Sequence, residues 1–183
     1  ESSDSTLGEW KMAKRAGKYK LTKRDSAISL IDGGDLVGGG INIPPVTLTP
    51  AASVELTKAA NSGRLNLIPS VATSNDEYVL PVASFVGETY EIAWSGRAAD
   101  GDDILFVAPS ADALTFTGGV LQFDTDETGA AGYTIAFPGS DDDKLTIVNP
   151  ESFCLRFVAT TTTNYHVSGY AMSTDTAVAF GDL

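Results

Sequence analysis

The sequence predicts an all-β fold: an antiparallel β-sandwich of jelly-roll type, preceded by an extended N-terminal arm that contains a short helix. Three observations carry that prediction. From Val46 onward nearly every apolar run is short and alternates with polar residues, the period of a strand with one buried face. Turn signals recur between the runs at Asp100-Gly101, Gly118-Gly119, Pro138-Gly139 and Asn149-Pro150. Charge is divided unevenly. Residues 1–24 hold seven Lys and Arg against Glu1, Asp4 and Glu9, a net +4, while five basic and twenty-one acidic residues from Asp25 onward make −16. A split of this kind bears on association and solubility.

The arm, residues 1–45, opens with one helix signal. Thr6-Leu7-Gly8-Glu9 fits a capping box and Gly17 suits the C′ position. A helix of about ten residues does not persist alone in water, so Trp10 and Met12 read as anchors awaiting a partner. Residues 25–45 follow as apolar islands among glycines: Ala27, Ile28, Leu30 and Ile31, then Gly33-Gly34 and Gly38-Gly39-Gly40, then Ile41, Ile43 and Pro44-Pro45. This stretch reads as a segment that wraps along a neighbouring surface.

Residues 46–183 form the predicted β-sandwich domain. Its strands are expected at Val46–Thr49, Val54–Thr57, Tyr78–Val86, Thr89–Trp94, Ile104–Ala108, Leu114–Phe116 and Val120–Phe123. Tyr133–Phe137, Leu145–Val148, Phe153–Ala159, Tyr165–Met172 and a weaker Thr176–Phe180 complete the series. The strongest pair is a hairpin turning over Thr161–Asn164, with Phe153, Leu155, Phe157, Tyr165 and Val167 on its core face.

Composition narrows the function classes. An apolar fraction of 43% supports a core. No run approaches the ~18–20 apolar residues of a bilayer span, and no apolar h-region follows the basic start, so neither a membrane span nor a secretory signal is expected. A single cysteine, Cys154, allows neither an intrachain disulfide nor a zinc site built on paired cysteines. With a net charge of −12 for the whole chain and −16 beyond residue 24, the body repels nucleic acid, leaving only the short arm for such a role.

The candidate chemistry is sparse. Asp124, Asp126, Thr128 and Gly129 match the first half of a calcium loop, but Ile135 stands where a bidentate Glu is required. Solvated turns are the plain reading, and calcium held between adjacent loops is its alternative. Cys154 and the lone His166 are expected about five residues apart along the hairpin, on the order of 16 Å, too far for a nucleophile and its base. No Gly-x-Ser-x-Gly elbow and no phosphate loop is present, and no enzymatic activity is expected. The candidate contact residues are instead Trp10, Lys14, Arg15, Lys18, Tyr19, Lys20, Lys23 and Arg24, with Ile28, Ile31, Ile41 and Ile43 as anchors buried on a partner.

Taken together, the Gly/Pro-punctuated arm from Lys18 to Pro45, the Thr/Ala/Gly-rich β body and the Phe153–Met172 hairpin resemble a tailed-phage virion structural protein of the capsid decoration or cement type. The resemblance implies a non-enzymatic component made in the host cytoplasm and seated on the virion. It further implies docking through the arm on a capsid or other virion protein, and homo-oligomerisation, with a trimer favoured. It transfers no residue-level role. The competing class is a carbohydrate-binding, adhesin-like sandwich with Trp94, Tyr90, Tyr133 and Tyr170 as a stacking face.

Overall fold

The computed structural model describes residues 43–72, 75–96, 101–125, 133–136 (backbone only), 141–174 and 178–183. They fall within a compact unit spanning Asn42–Leu183. The arm helix expected at Thr6–Gly17 lies outside the described residues. Twelve strands and one short helix follow in order among the described residues: β1 (Val46–Thr47), β2 (Ser53–Glu55), α1 (Lys58–Asn61), β3 (Leu65–Ile68), β4 (Asn75–Val79), β5 (Thr89–Trp94), β6 (Asp103–Val107), β7 (Thr115–Asp124), β8 (Tyr133–Ala136), β9 (Lys144–Ile147), β10 (Pro150–Thr161), β11 (Asn164–Ser173) and β12 (Val178–Gly181). The all-β expectation holds.

The strands form a seven-stranded sheet, ordered β1-β3-β5-β10-β11-β7-β8, and a five-stranded sheet, ordered β12-β9-β6-β4-β2. Both are mixed, which departs from the antiparallel pairing of a jelly roll. Between Val46 and Val107 the chain alternates sheets with every strand, so β1, β3 and β5 run parallel in one layer and β2, β4 and β6 run parallel in the other. Antiparallel pairing takes over where β10 meets β5 and β11, and where β9 meets β6 and β12. One parallel contact, β7 on β11, persists in the second half.

The core lies between the layers. Tyr90 and Ile92 of β5, Phe153, Leu155 and Phe157 of β10, and Tyr165 and Val167 of β11 face Tyr78 of β4, Ile104 and Phe106 of β6, and Leu145 and Ile147 of β9, all buried. Phe106 joins the sheets, its ring centroid 6.0 Å from Phe153 and 5.4 Å from Phe157. Burial of each such side chain contributes roughly 1.5–3 kcal/mol.

The hairpin is seen as expected, with Phe157 opposite Val167, Ala159 opposite Tyr165 and Thr161 opposite Asn164. Other elements differ. The expected strand Tyr78–Val86 stops at Val79, because Pro81 cannot donate to a ladder. Thr57, expected at a strand end, caps α1 by accepting from the Ala60 N–H at 3.3 Å. Strand β3 falls where no strand was expected, and Gly118-Gly119 lies inside one continuous strand, β7. Gly118 has φ +102°, and a Cβ there would collide with the Val167 carbonyl oxygen. The residue that resembles a turn signal is a point of close backbone approach.

Candidate docking surface

The loop between β4 and β5, residues 80–88, is built from both ends. Pro81 and the buried Tyr165 begin it, the Tyr165 hydroxyl donating to the Pro81 carbonyl at 3.0 Å. The Ala83 N–H donates to the Thr162 carbonyl and the Gly87 N–H to the Ala159 carbonyl, tying the loop to the hairpin tip. Beneath it Glu88 is buried. One of its carboxylate oxygens accepts from the Ser84 N–H at 2.7 Å and the other from the Tyr90 hydroxyl at 2.6 Å. Burial, then the hydrogen bond to Glu88, pushes the Tyr90 hydroxyl well above the usual phenol range; burial, then the Glu88 charge, does the same for Tyr165. The neutral hydroxyls and the carboxylate form a satisfied network, with no reach to solvent.

Leu80 and Ala83 of the loop turn into the core, while three further apolar side chains point outward. Val82, Phe85 and Val86 are 45%, 49% and 66% exposed. The Lys58 ammonium of α1 lies 4.5 Å from the Phe85 ring centroid, a cation–π contact that leaves the rest of the ring bare. Three neighbouring apolar side chains held out to water mark an interaction surface better than a scattered single residue does.

Beside this loop, and sharing Pro81 with it, a groove of about 360 Å³ runs over the solvent face of β2 and β4. Ser53, Glu55 and Glu77 supply its polar lining and Pro81 and Pro109 apolar surface. The Ser53 hydroxyl lies 3.4 Å from a Glu77 carboxylate oxygen. Among the described residues β2 is the last strand of its sheet, so the groove lies beside a sheet edge.

The residues singled out from sequence distribute as follows. Trp10, Lys14, Arg15, Lys18, Tyr19, Lys20, Lys23, Arg24, Ile28, Ile31 and Ile41 lie outside the described residues, as do Asp126 and Thr128. Ile43 is exposed, and Asp124, at the end of β7, is half-buried. Among the described residues no three His, Cys, Asp or Glu side chains converge as metal ligands. Asp143, in one of the acidic runs, is buried and accepts from the Leu183 N–H at 2.7 Å and from the Asp112 N–H at 3.3 Å.

Cys154 pairs with Tyr170, and His166 pairs with Val158. Cysteine and histidine are thus four residues apart along the hairpin, about 13 Å at strand rise. Cys154 lies 3.9 Å from Glu91, and burial with that carboxylate pushes its thiol up, away from the reactive thiolate. Of the aromatic residues offered as a sugar platform, Tyr90, Trp94 and Tyr170 do not share one exposed face. Tyr90 is buried, Trp94 turns to the core with its ring centroid 6.2 Å from Phe153, and Tyr170 stands on the opposite face of the sheet.

Sequence reasoning missed the 80–88 loop because Val82, Phe85 and Val86 extend the alternation of a strand. Pro81 and Gly87, one at each end, were the available signals. Among the described residues no helix is long and apolar enough to cross a membrane. The chain matches no protein-family model and no curated protein.

Proposed function

We propose that the chain is a non-enzymatic structural component of a large protein assembly, a viral shell being the assembly that suits it, and that it docks there through the 80–88 loop together with its basic arm. The observation that carries this reading is the exposure of Val82, Phe85 and Val86 on a loop pinned by Glu88, Tyr90 and Tyr165. A rigid apolar surface binds without paying to order itself, which suits a permanent contact. The opposite charges of arm and body support the same reading, since they steer association. Antiparallel jelly-roll architecture is not part of the proposal, because the register is mixed.

The test is sedimentation of the full chain from the cells or particles that make it. The wild-type chain is expected with fast-sedimenting particles. The variant Phe85→Ser/Val86→Ser, which alters only exposed side chains, is expected to be released to the top of the gradient with its melting temperature unchanged. A wild-type chain that sediments as free protein overturns the reading.

A further inference from the structure

We propose that the outward face of the seven-stranded sheet packs on the same face of a second copy of this chain, about a two-fold axis that runs along the strands between β5 and β10.

The strand register builds the face. Leu67 of β3 lies opposite Ala93 of β5, Ala93 opposite Cys154 of β10, Cys154 opposite Tyr170 of β11, and Tyr170 opposite Leu121 of β7. Their chain neighbours Ile68, Ile92, Leu155, Ala171 and Val120 are buried in the core, so alternation turns this row outward. Tyr170 and Leu121 are exposed, and Leu67, Ala93 and Cys154 are half-buried. Met172 and Phe123, paired with each other beyond Tyr170 and Leu121, extend the band. A contiguous apolar band across a sheet marks an interaction surface.

Charge identifies the partner. The chain from Asp25 onward is net −16, and the smaller sheet turns Glu55, Glu77, Asp103 and Lys144 outward. The larger sheet differs. In β3, β5 and β11, in Thr115–Phe123 of β7 and in Ser152–Thr161 of β10, Glu91 and Arg156 are the only Asp, Glu, Lys or Arg. Both are exposed, and they stand directly opposite each other in the row next to the band. A two-fold axis between their strands lays β5 of one copy over β10 of the other. Stacked sheets lie ~10 Å apart, a gap that a Glu and an Arg side chain span together. Glu91 of each copy then meets Arg156 of the other, and the charges alternate in sign around the axis. The same operation sets Ala93 on Cys154 and Leu67 on Tyr170. A carboxylate and a guanidinium placed in this way make the face complementary to itself. A partner surface of one sign would leave either Glu91 or Arg156 facing its like.

The experiment follows the mass of the full-length chain by size-exclusion chromatography with light scattering across the micromolar range. The wild-type chain is expected to pass from monomer to dimer. Glu91→Arg and Arg156→Glu each surround the axis with charges of one sign, and each is expected to raise the dissociation constant about tenfold or more. An equimolar mixture of the two variants is expected to recover dimer to within a few-fold of wild type, because each chain supplies the sign the other lacks. A role for Glu91 and Arg156 within one chain alone produces no such recovery, and circular dichroism melts verify that each variant folds. A wild-type chain that stays monomeric, a single variant that dimerises as wild type does, or a mixture that stays monomeric each overturns the assignment. Phe85→Ser/Val86→Ser is expected to leave the dimer intact; its loss in that variant would move the interface to the 80–88 loop and overturn the assignment too. Particle sedimentation reads the loop and dimer mass reads the sheet face, so the docking reading and this one fail separately.

Discussion

The wound half of the molecule, β1 to β6, and the β10–β11 hairpin solve the same problem by different means. The hairpin returns within its own sheet over two residues, and its backbone groups find partners in the ladder. The wound half must carry the chain from one sheet to the other at every step, and the crossings from β2 to β3, β3 to β4 and β4 to β5 each hold a backbone N–H bonded to a buried side chain rather than to a ladder. Between β2 and β3, the buried Asn61 accepts from the Thr57 N–H and bonds the buried Asn66 of β3 at 2.8 Å. Between β3 and β4, Asp76 accepts from the Ala72 N–H at 2.8 Å. Between β4 and β5, Glu88 accepts from the Ser84 N–H. Asp143 does the same for the crossing from β6 to β7 through Asp112. A buried polar side chain at each of these crossings does for the backbone what hydrogen bonding across the ladder does for a hairpin.

The largest test of this comparison removes what joins the two halves. Phe106→Ala is expected to cost about 3–5 kcal/mol in urea unfolding, with near- and far-UV signals falling together. Separate transitions would show that the halves are independent.

High pH strains both halves through their tyrosines. Burial holds Tyr78, Tyr90 and Tyr165 well above the usual phenol range, with a nearby carboxylate adding to it in each case. Their folded pKa values lie above the unfolded value of ~10. The stability they contribute is therefore complete below that value and lost as pH rises beyond it. Alkaline absorbance titration should show these three ionising together with unfolding; smooth ionisation in the folded chain would refute the burial.

A smaller effect separates a pinned crossing from a hairpin turn. Tyr90→Phe removes the hydroxyl that Glu88 accepts from and is expected to cost roughly 1.5–3 kcal/mol, with faster amide exchange across residues 82–86. Thr163→Ala, in the exposed hairpin turn, is expected to stay within about 0.5 kcal/mol of wild type. Equal losses would erase the distinction. The smallest change has the opposite sign. The Tyr78 hydroxyl is buried without a hydrogen-bond partner among the described residues, so Tyr78→Phe is expected to raise the melting free energy by about 1 kcal/mol.

The same contrast explains what was legible in the sequence. The hairpin declares itself through five alternating core residues and a run of threonines at its turn. Period-two alternation marks a strand but not its direction, so the parallel winding left no trace in the pattern. β3 went unseen because Asn66, buried at its centre, carries a polar name. The crossing residues Asp76 and Glu88 look like surface charge until burial is known. For the candidate site the signal was inverted: Val82, Phe85 and Val86 read as core and are exposed, because Pro81 ends the ladder that would have buried them. The acidic groove was unreadable because Glu55 and Glu77, far apart in sequence, meet only through the parallel register of β2 and β4.

The interleaving of the strands also sets a timetable. β10 and β11 occupy the middle of the seven-stranded sheet, yet they leave the ribosome after every other strand of that sheet. Until residues 150–173 emerge, β5 and β7 each lack the neighbour that belongs beside them, and bare strand edges of that kind are sticky. Contacts so distant along the chain put folding toward the slow end, in the millisecond-to-second range. A chain cut short before Pro150 is left with a gap through its larger sheet, so the emergence of the hairpin, rather than of the strands before it, commits this body to its shape.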